Sequence, residues 1–127
     1  MFSLSLNHIA LSVKDVNESV KFYQKALFLK EIKNTASNSK TRWLALGEEK
    51  QLHLIPRPNF NVILNKAVHF ALTTPDINSF IKHLISLNID YSDWKDTPNK
   101  GYVRKDGILQ IYFQDPNGYW IEVNNAV

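Results

Sequence analysis

From Leu6 to Val13 apolar and polar residues alternate with a period of two, which predicts a strand. His8, Ala10 and Ser12 fall on one face of it, and Ile9, Leu11 and Val13 on the other. The period then lengthens. Val16, Val20, Tyr23 and Leu27 recur at helical spacing behind Asp15 and Glu18, a pair suited to starting a helix. After the polar loop NTASNSK, the runs TRWLALG and KQLHLIP read as strands, with a short strand expected before them near Leu29 to Lys33.

The second half repeats this order. Placing His69 on His8, at an offset of 61, also sets Ala71 on Ala10, Leu72 on Leu11, Thr73 on Ser12, Asp76 on Asp15 and Asn78 on Asn17. Such self-similarity points to a duplicated module. Val68 to Thr73 predicts a strand, and Thr74 with Pro75 an N-cap and first turn. Ile77, Phe80, Ile81, Leu84 and Ile85 mark the buried side of a helix, with His83 on its solvent side. Strands are expected around Ile89–Trp94, Gly107–Gln114 and Tyr119–Val123. The linker PRPNFNVILNK ends one half before the next begins. Each half therefore reads βαβββ, one over residues 1–58 and the other over 66–127, an α+β chain of two modules. A single such unit leaves one sheet face uncovered, so two must pair. With Ile9 and Leu11 against the helix, the histidine face points into the hollow between paired sheets.

Composition narrows the function classes. Hydrophobic residues make up 44% of the 127, enough for a core, and no apolar run approaches the roughly 18 residues of a membrane span. The start MFSLSLNHIA has no basic region followed by an apolar stretch, so a cytoplasmic protein is expected. Without cysteine there are no disulfides and no thiolate ligands or nucleophiles. The net charge of +3 is carried by scattered lysines rather than a basic stripe, which argues against nucleic-acid binding and fits a small-molecule partner.

Two further polar residues interrupt apolar strands late in each half, His53 in QLHLI and Glu122 in WIEVN. Singly, each has an ordinary structural reading, a hydrogen-bonded histidine or an edge-strand charge. Together, each half supplies a first-strand histidine and a last-strand His or Glu, and four such side chains at equivalent positions suggest a shared metal. Imidazole and carboxylate donors suit Zn, Ni, Fe, Mn or Co. Three histidines and one carboxylate leave coordination positions for water or substrate.

The motifs NHIALSVKD with SVKFY, VHFALTT and the late DPNGYWIEV resemble the vicinal oxygen chelate superfamily, the glyoxalase/bleomycin-resistance/extradiol-dioxygenase group, over nearly the whole chain. In that group a turn such as Asp115-Pro116-Asn117-Gly118 precedes the strand that ends in the ligand glutamate, here Glu122. The resemblance implies paired βαβββ modules, a cupped sheet and a divalent metal held by His8, His53, His69 and Glu122. It is strongest to glyoxalase I, a metal-dependent lyase, although the position of His53 is usually Glu there. Only Glu122 is then left to move a proton. Fosfomycin thiol transferases and extradiol dioxygenases use two histidines and one glutamate, which His8, His69 and Glu122 match, but the transferases' full phosphonate-binding loop is not visible here. Bleomycin-binding relatives lack these ligands, which this chain has; a thiol transferase is the first alternative to the lyase, and a module that only binds a small aromatic molecule is the second. The family alignment points Gln110, Tyr112 and Gln114, and with them Trp43, into the cup. Trp43, Tyr112 and Gln110 are therefore candidate substrate contacts, and Arg57 and Arg104 candidates for an anionic group. In many relatives a partner chain completes the cup, which implies a homodimer with His8 and His53 of one chain facing His69 and Glu122 of the other; closure within one chain is the alternative.

Overall fold

The structure is a computed structural model that describes residues 1–127. The chain divides into two compact units, Met1–Val62 and Ile63–Val127, and each is a βαβββ module with a four-stranded mixed sheet.

In the first unit β1 (His8–Val13) is followed by α1 (Val16–Leu27), β2 (Glu31–Ile32), β3 (Arg42–Gly47) and β4 (Lys50–Pro56). The sheet order is β1-β4-β3-β2, with β1 parallel to β4 and the other pairs antiparallel. Asp15 caps α1, its carboxylate accepting the N–H groups of Asn17 and Glu18. The helix ends where Phe28 takes a left-handed conformation, φ 54°. Its buried residues Ser19, Val20, Tyr23 and Ala26 lie at helical spacing, and the helix packs on β3 and β4, where Leu44, Leu52 and Leu54 are fully buried. Each such leucine contributes about 1.5–3 kcal/mol of burial. Truncating Leu52 would open the centre of this layer. The β3–β4 hairpin closes through Glu48 and Glu49, both at positive φ (48° and 62°).

The second unit repeats the order with β5 (His69–Thr73), α2 (Ile77–Ser86), β6 (Tyr102–Val103), β7 (Leu109–Gln114) and β8 (Trp120–Asn124), arranged β5-β8-β7-β6. Its core holds Ile77, Leu84, Ile111, Phe113, Ile121 and Val123, and Phe80 of α2 meets Phe113 at 5.8 Å between ring centres. Three local expectations are corrected. The α2 N-cap is Asp76 rather than Thr74, because the Asp76 carboxylate reaches the Ser79 N–H and hydroxyl while Thr74 Oγ1 only accepts the Asp76 N–H. Ile85 lies 56% exposed, on the edge of the helix rather than its buried side. Residues 89–94 form no strand. Ser92 alone makes bridges, to Pro98 and Tyr112, and the chain then turns as the Asp93 carboxylate takes the Thr97 N–H at 2.8 Å.

The hairpin of β7 and β8 turns through Asp115–Gly118. Asp115 Oδ1 accepts the N–H groups of Asn117 and Tyr119 at 2.9 and 3.0 Å, and Gly118 takes φ +88°. No helix is long and apolar enough to cross a membrane.

Candidate functional site

Strand register explains why the same positions recur. In the first unit Ala10, His53 and Trp43 stand side by side across β1, β4 and β3. In the second, Ala71, Glu122 and Tyr112 occupy the corresponding row across β5, β8 and β7. Pairing directly across a sheet places side chains on the same face. His8 and His69 sit two residues before the two alanines, and so lie diagonal to His53 and Glu122.

In the second unit the row is tightly bonded. Tyr112 donates its hydroxyl to Glu122 Oε1 at 2.7 Å and receives Gln110 Nε2 at 3.2 Å. Asn124 donates its amide to Glu122 Oε2 at 2.7 Å. Glu122 is 7% exposed, a buried carboxylate held by two neutral donors. His69 Nδ1 lies 2.8 Å from the Lys66 carbonyl, which can only accept, so Nδ1 carries the proton. In the neutral ring this leaves Nε2 as an acceptor, and it faces Glu122 Oε1 at 3.4 Å. Two acceptor atoms then confront each other with no donor between them, a gap suited to a proton or a cation. A backbone carbonyl accepting from the far nitrogen is the usual support of a metal-binding imidazole. Burial, then the hydrogen bond to Glu122 and the charge of that carboxylate, push the Tyr112 phenol well above its ordinary value of 10.0, so it remains a donor.

The first unit is built differently. His8, His53 and Trp43 form a stack, with His8–His53 ring centres 4.0 Å apart and planes 14° apart, and Trp43–His53 at 4.2 Å and 4°. His53 Nε2 donates to Gln51 Oε1 at 2.8 Å, and His8 Nδ1 to Asn7 Oδ1 at 2.7 Å, so each ring keeps one bare nitrogen. Desolvation, then the neighbouring His8, hold the His53 imidazole below its ordinary 6.5. Stacked rings cannot both aim a nitrogen at one ion roughly 2 Å away, so one ring must turn before both coordinate. Neither unit gathers three or more His, Asp or Glu side chains. Each brings together one of the two expected pairs.

Among the other expected contacts, Trp43 and Tyr112 adjoin a candidate ligand directly and Gln110 adjoins Glu122 through Tyr112. Arg57 is exposed and donates to the Pro56 carbonyl, and Arg104 pairs with Asp106 at 2.5 Å. Four residues escape a sequence reading. Asn124 and Trp120 share the strand face of Glu122, a parity that could have revealed them. Lys66 lies at the end of a linker, where no period marks it, and Trp94 lies in a turn that the sequence reads as the end of a strand. A cleft of about 470 Å³, lined among others by Asp90, Tyr91, Ser92, Tyr112 and Trp120, opens beside this row.

The sequence profile of the Glyoxalase/Bleomycin resistance protein/Dioxygenase superfamily matches residues 5–123. Glyoxylase I 4 of Arabidopsis thaliana is 30% identical over 131 residues, covering 96% of this chain and 71% of that protein. Metallothiol transferase FosB of Staphylococcus epidermidis is 32% identical over 130 residues, covering 96% and 82%. A putative glyoxalase family protein from Bacillus anthracis has a similar structure, with a TM-score of 0.79, 22% identity and coverage of 100% and 98%. With the duplicated βαβββ modules, the profile match across both of them shows that the chain belongs to the Glyoxalase/Bleomycin resistance protein/Dioxygenase superfamily.

Proposed function

We propose that the chain is a divalent-metal-dependent lyase or isomerase of the glyoxalase I kind, acting on a small oxo or thiol-adduct substrate. The observation that carries the reading is His69 Nε2 set 3.4 Å from the buried Glu122 carboxylate, with the other ring nitrogen and both carboxylate oxygens already hydrogen-bonded. His69 and Glu122 would hold the ion, with His8 and, after its ring leaves the stack, His53 completing the donor set from a module of the same chain or of a second copy in a cytoplasmic homodimer. When bound, the ion supplies Lewis-acid polarisation of substrate oxygens. Glu122 carries the substrate proton, and Tyr112 and Asn124 fix its orientation. Trp43, Tyr112 and Gln110 give the substrate apolar and hydrogen-bonding walls.

A specific observation also favours a thiol transferase. Both Glu122 oxygens accept a hydrogen bond at 2.7 Å, which suits a fixed ligand better than a base that must take up a proton. Glu122→Gln separates the two. At saturating metal, loss of a general base lowers the rate about 10²–10⁴-fold. Near-native activity on the true substrate would exclude Glu122 as the base and leave the transferase reading. Protein that retains no divalent metal after purification without chelator, and binds none on titration, would refute both and leave a binding module. Sedimentation tests the dimer, and a metal-loaded monomer would refute it.

A further inference from the structure

Lys66 stands in the turn before β5, with its side chain 13% exposed. It is connected to both members of the second-unit pair. Its carbonyl accepts the His69 Nδ1–H at 2.8 Å. The turn that presents this carbonyl is closed by Asn65, whose side chain takes the Ala67 N–H and whose backbone oxygen takes the Val68 N–H. The Lys66 ammonium donates to the Asp93 carbonyl and Asp96 Oδ1 at 2.7 Å each, and to Ser92 Oγ at 3.3 Å. Its nitrogen also lies 4.5 Å from the ring centre of Trp120, 5.1 Å from Tyr112 and 5.8 Å from Trp94.

An ammonium has three N–H donors, and here all three are taken, so Lys66 has none left for an anionic substrate. Three aromatic faces within 6 Å add cation–π attraction and fix the nitrogen further. One of those rings belongs to Tyr112, whose hydroxyl orients Glu122. Another belongs to Trp94, whose ring meets the His69 ring at 6.2 Å. A single side chain thus ties the His69 support, the Glu122 support and the segment from Ser92 to Asp96 together.

We propose that Lys66 is a positioning residue for a metal-binding pair: its carbonyl fixes the His69 tautomer, and its caged ammonium holds both that carbonyl and the Tyr112 ring in place. The role in metal affinity rests on the reading of His69 and Glu122 as ligands, whereas the role in the tautomer does not. The test compares metal-free, ¹⁵N-labelled native protein with Lys66→Met, which keeps an unbranched stem but no charge, and Lys66→Arg, which keeps charge and donors. The His69 ring nitrogens are read by NMR at a pH where the imidazole is neutral, and Zn²⁺ affinity by competition with a chromophoric chelator. Native protein should show one tautomer, protonated at Nδ1. Lys66→Met should show a mixture and bind Zn²⁺ about 10–100-fold more weakly, the usual effect of losing a group that orients a ligand from behind. Lys66→Arg should recover part of both. General destabilisation would not change the tautomer of the folded fraction. A native tautomer and native Zn²⁺ affinity in Lys66→Met would overturn the proposal. Should that variant fail to fold, Asp96→Asn removes one anchor at the exposed end, and no change in either readout would count equally against it. Native protein that binds no Zn²⁺ would instead refute the metal reading, and the tautomer would still decide whether Lys66 fixes His69.

Discussion

Replacing Tyr112 with Phe removes one oxygen from a side chain only 3% exposed and leaves room for its ring unchanged. That oxygen donates to a carboxylate at 2.7 Å, and hydrogen bonds to charged groups contribute about 1.5–3 kcal/mol. Gln110, the other partner, is half-buried and can turn to water, so its loss adds little. The expected destabilisation at neutral pH is about 2 kcal/mol. With an unfolding entropy of roughly 2.1 cal/mol/K per residue, Tm falls by about 7 °C for a chain of this length. The alkaline range gives a second signature. The folded phenol titrates above its unfolded value of 10.0 because of burial first and Glu122 second. Its contribution is therefore whole below pH 10 and is lost as pH rises further, since the unfolded chain releases the proton first. The stability gap between native protein and Tyr112→Phe should narrow from pH 10 upward. Urea unfolding with chelator present, from pH 7 to 11, measures both effects, with Trp94 and Trp120 reporting on the second unit and Trp43 on the first. A gap below about 0.5 kcal/mol at pH 7, well under the range for a bond to a charged group, or one that widens with alkali, would refute the reasoning.

Gly118→Ala should destabilise by about 1–2 kcal/mol, because φ +88° disfavours any Cβ and the added carbon would meet Leu64 Cδ1 at 2.5 Å. Thermal melts test it, and an unchanged Tm would mean the turn relaxes freely. Because the His53 imidazole is held below 6.5 in the folded chain, its contribution is whole above that pH and is lost on acidification. His53→Gln should accordingly lose less stability than native protein between pH 7 and 5 in chelator-treated denaturation curves, and an equal or steeper loss would exclude His53 as a source.

Much of the candidate site's arrangement was legible because the duplication writes it twice. His8 and His69 stand in period-two runs with matching neighbours, and the Asp115–Gly118 turn sets the strand on which Glu122 lies. Both structural pairs follow from those features. What stayed hidden has local causes. Thr74 and Asp76 are both competent caps, and only the reach to Ser79 selects Asp76. Ile89 and Tyr91 alternate with Asp90 and Ser92 as in a strand, yet the Asp93 side chain competes for the backbone and turns the chain. Lys66 closes a linker with no period of its own, and its surroundings come from residues distant in sequence. The stacking of His8 on His53 is equally invisible to spacing, since a diagonal pair can stack or chelate from the same register.

The two hairpins differ in how they bear on folding. Positive φ at both central residues matches a type I′ turn, which favours Asn and Gly, yet Glu48 and Glu49 hold it as adjacent like charges at about 1–2 kcal/mol per left-handed residue. The Asp115–Gly118 turn has a side chain that gathers its own backbone and a glycine where φ is positive. The latter can nucleate its hairpin locally, whereas the former must wait for β3 and β4 to be paired by their buried leucines. Mutations in the Asp115–Gly118 turn should therefore slow refolding of the second unit, and relieving the Glu48–Glu49 turn with Asn-Gly should speed that of the first, because its closure then lies on the ascending side of the barrier.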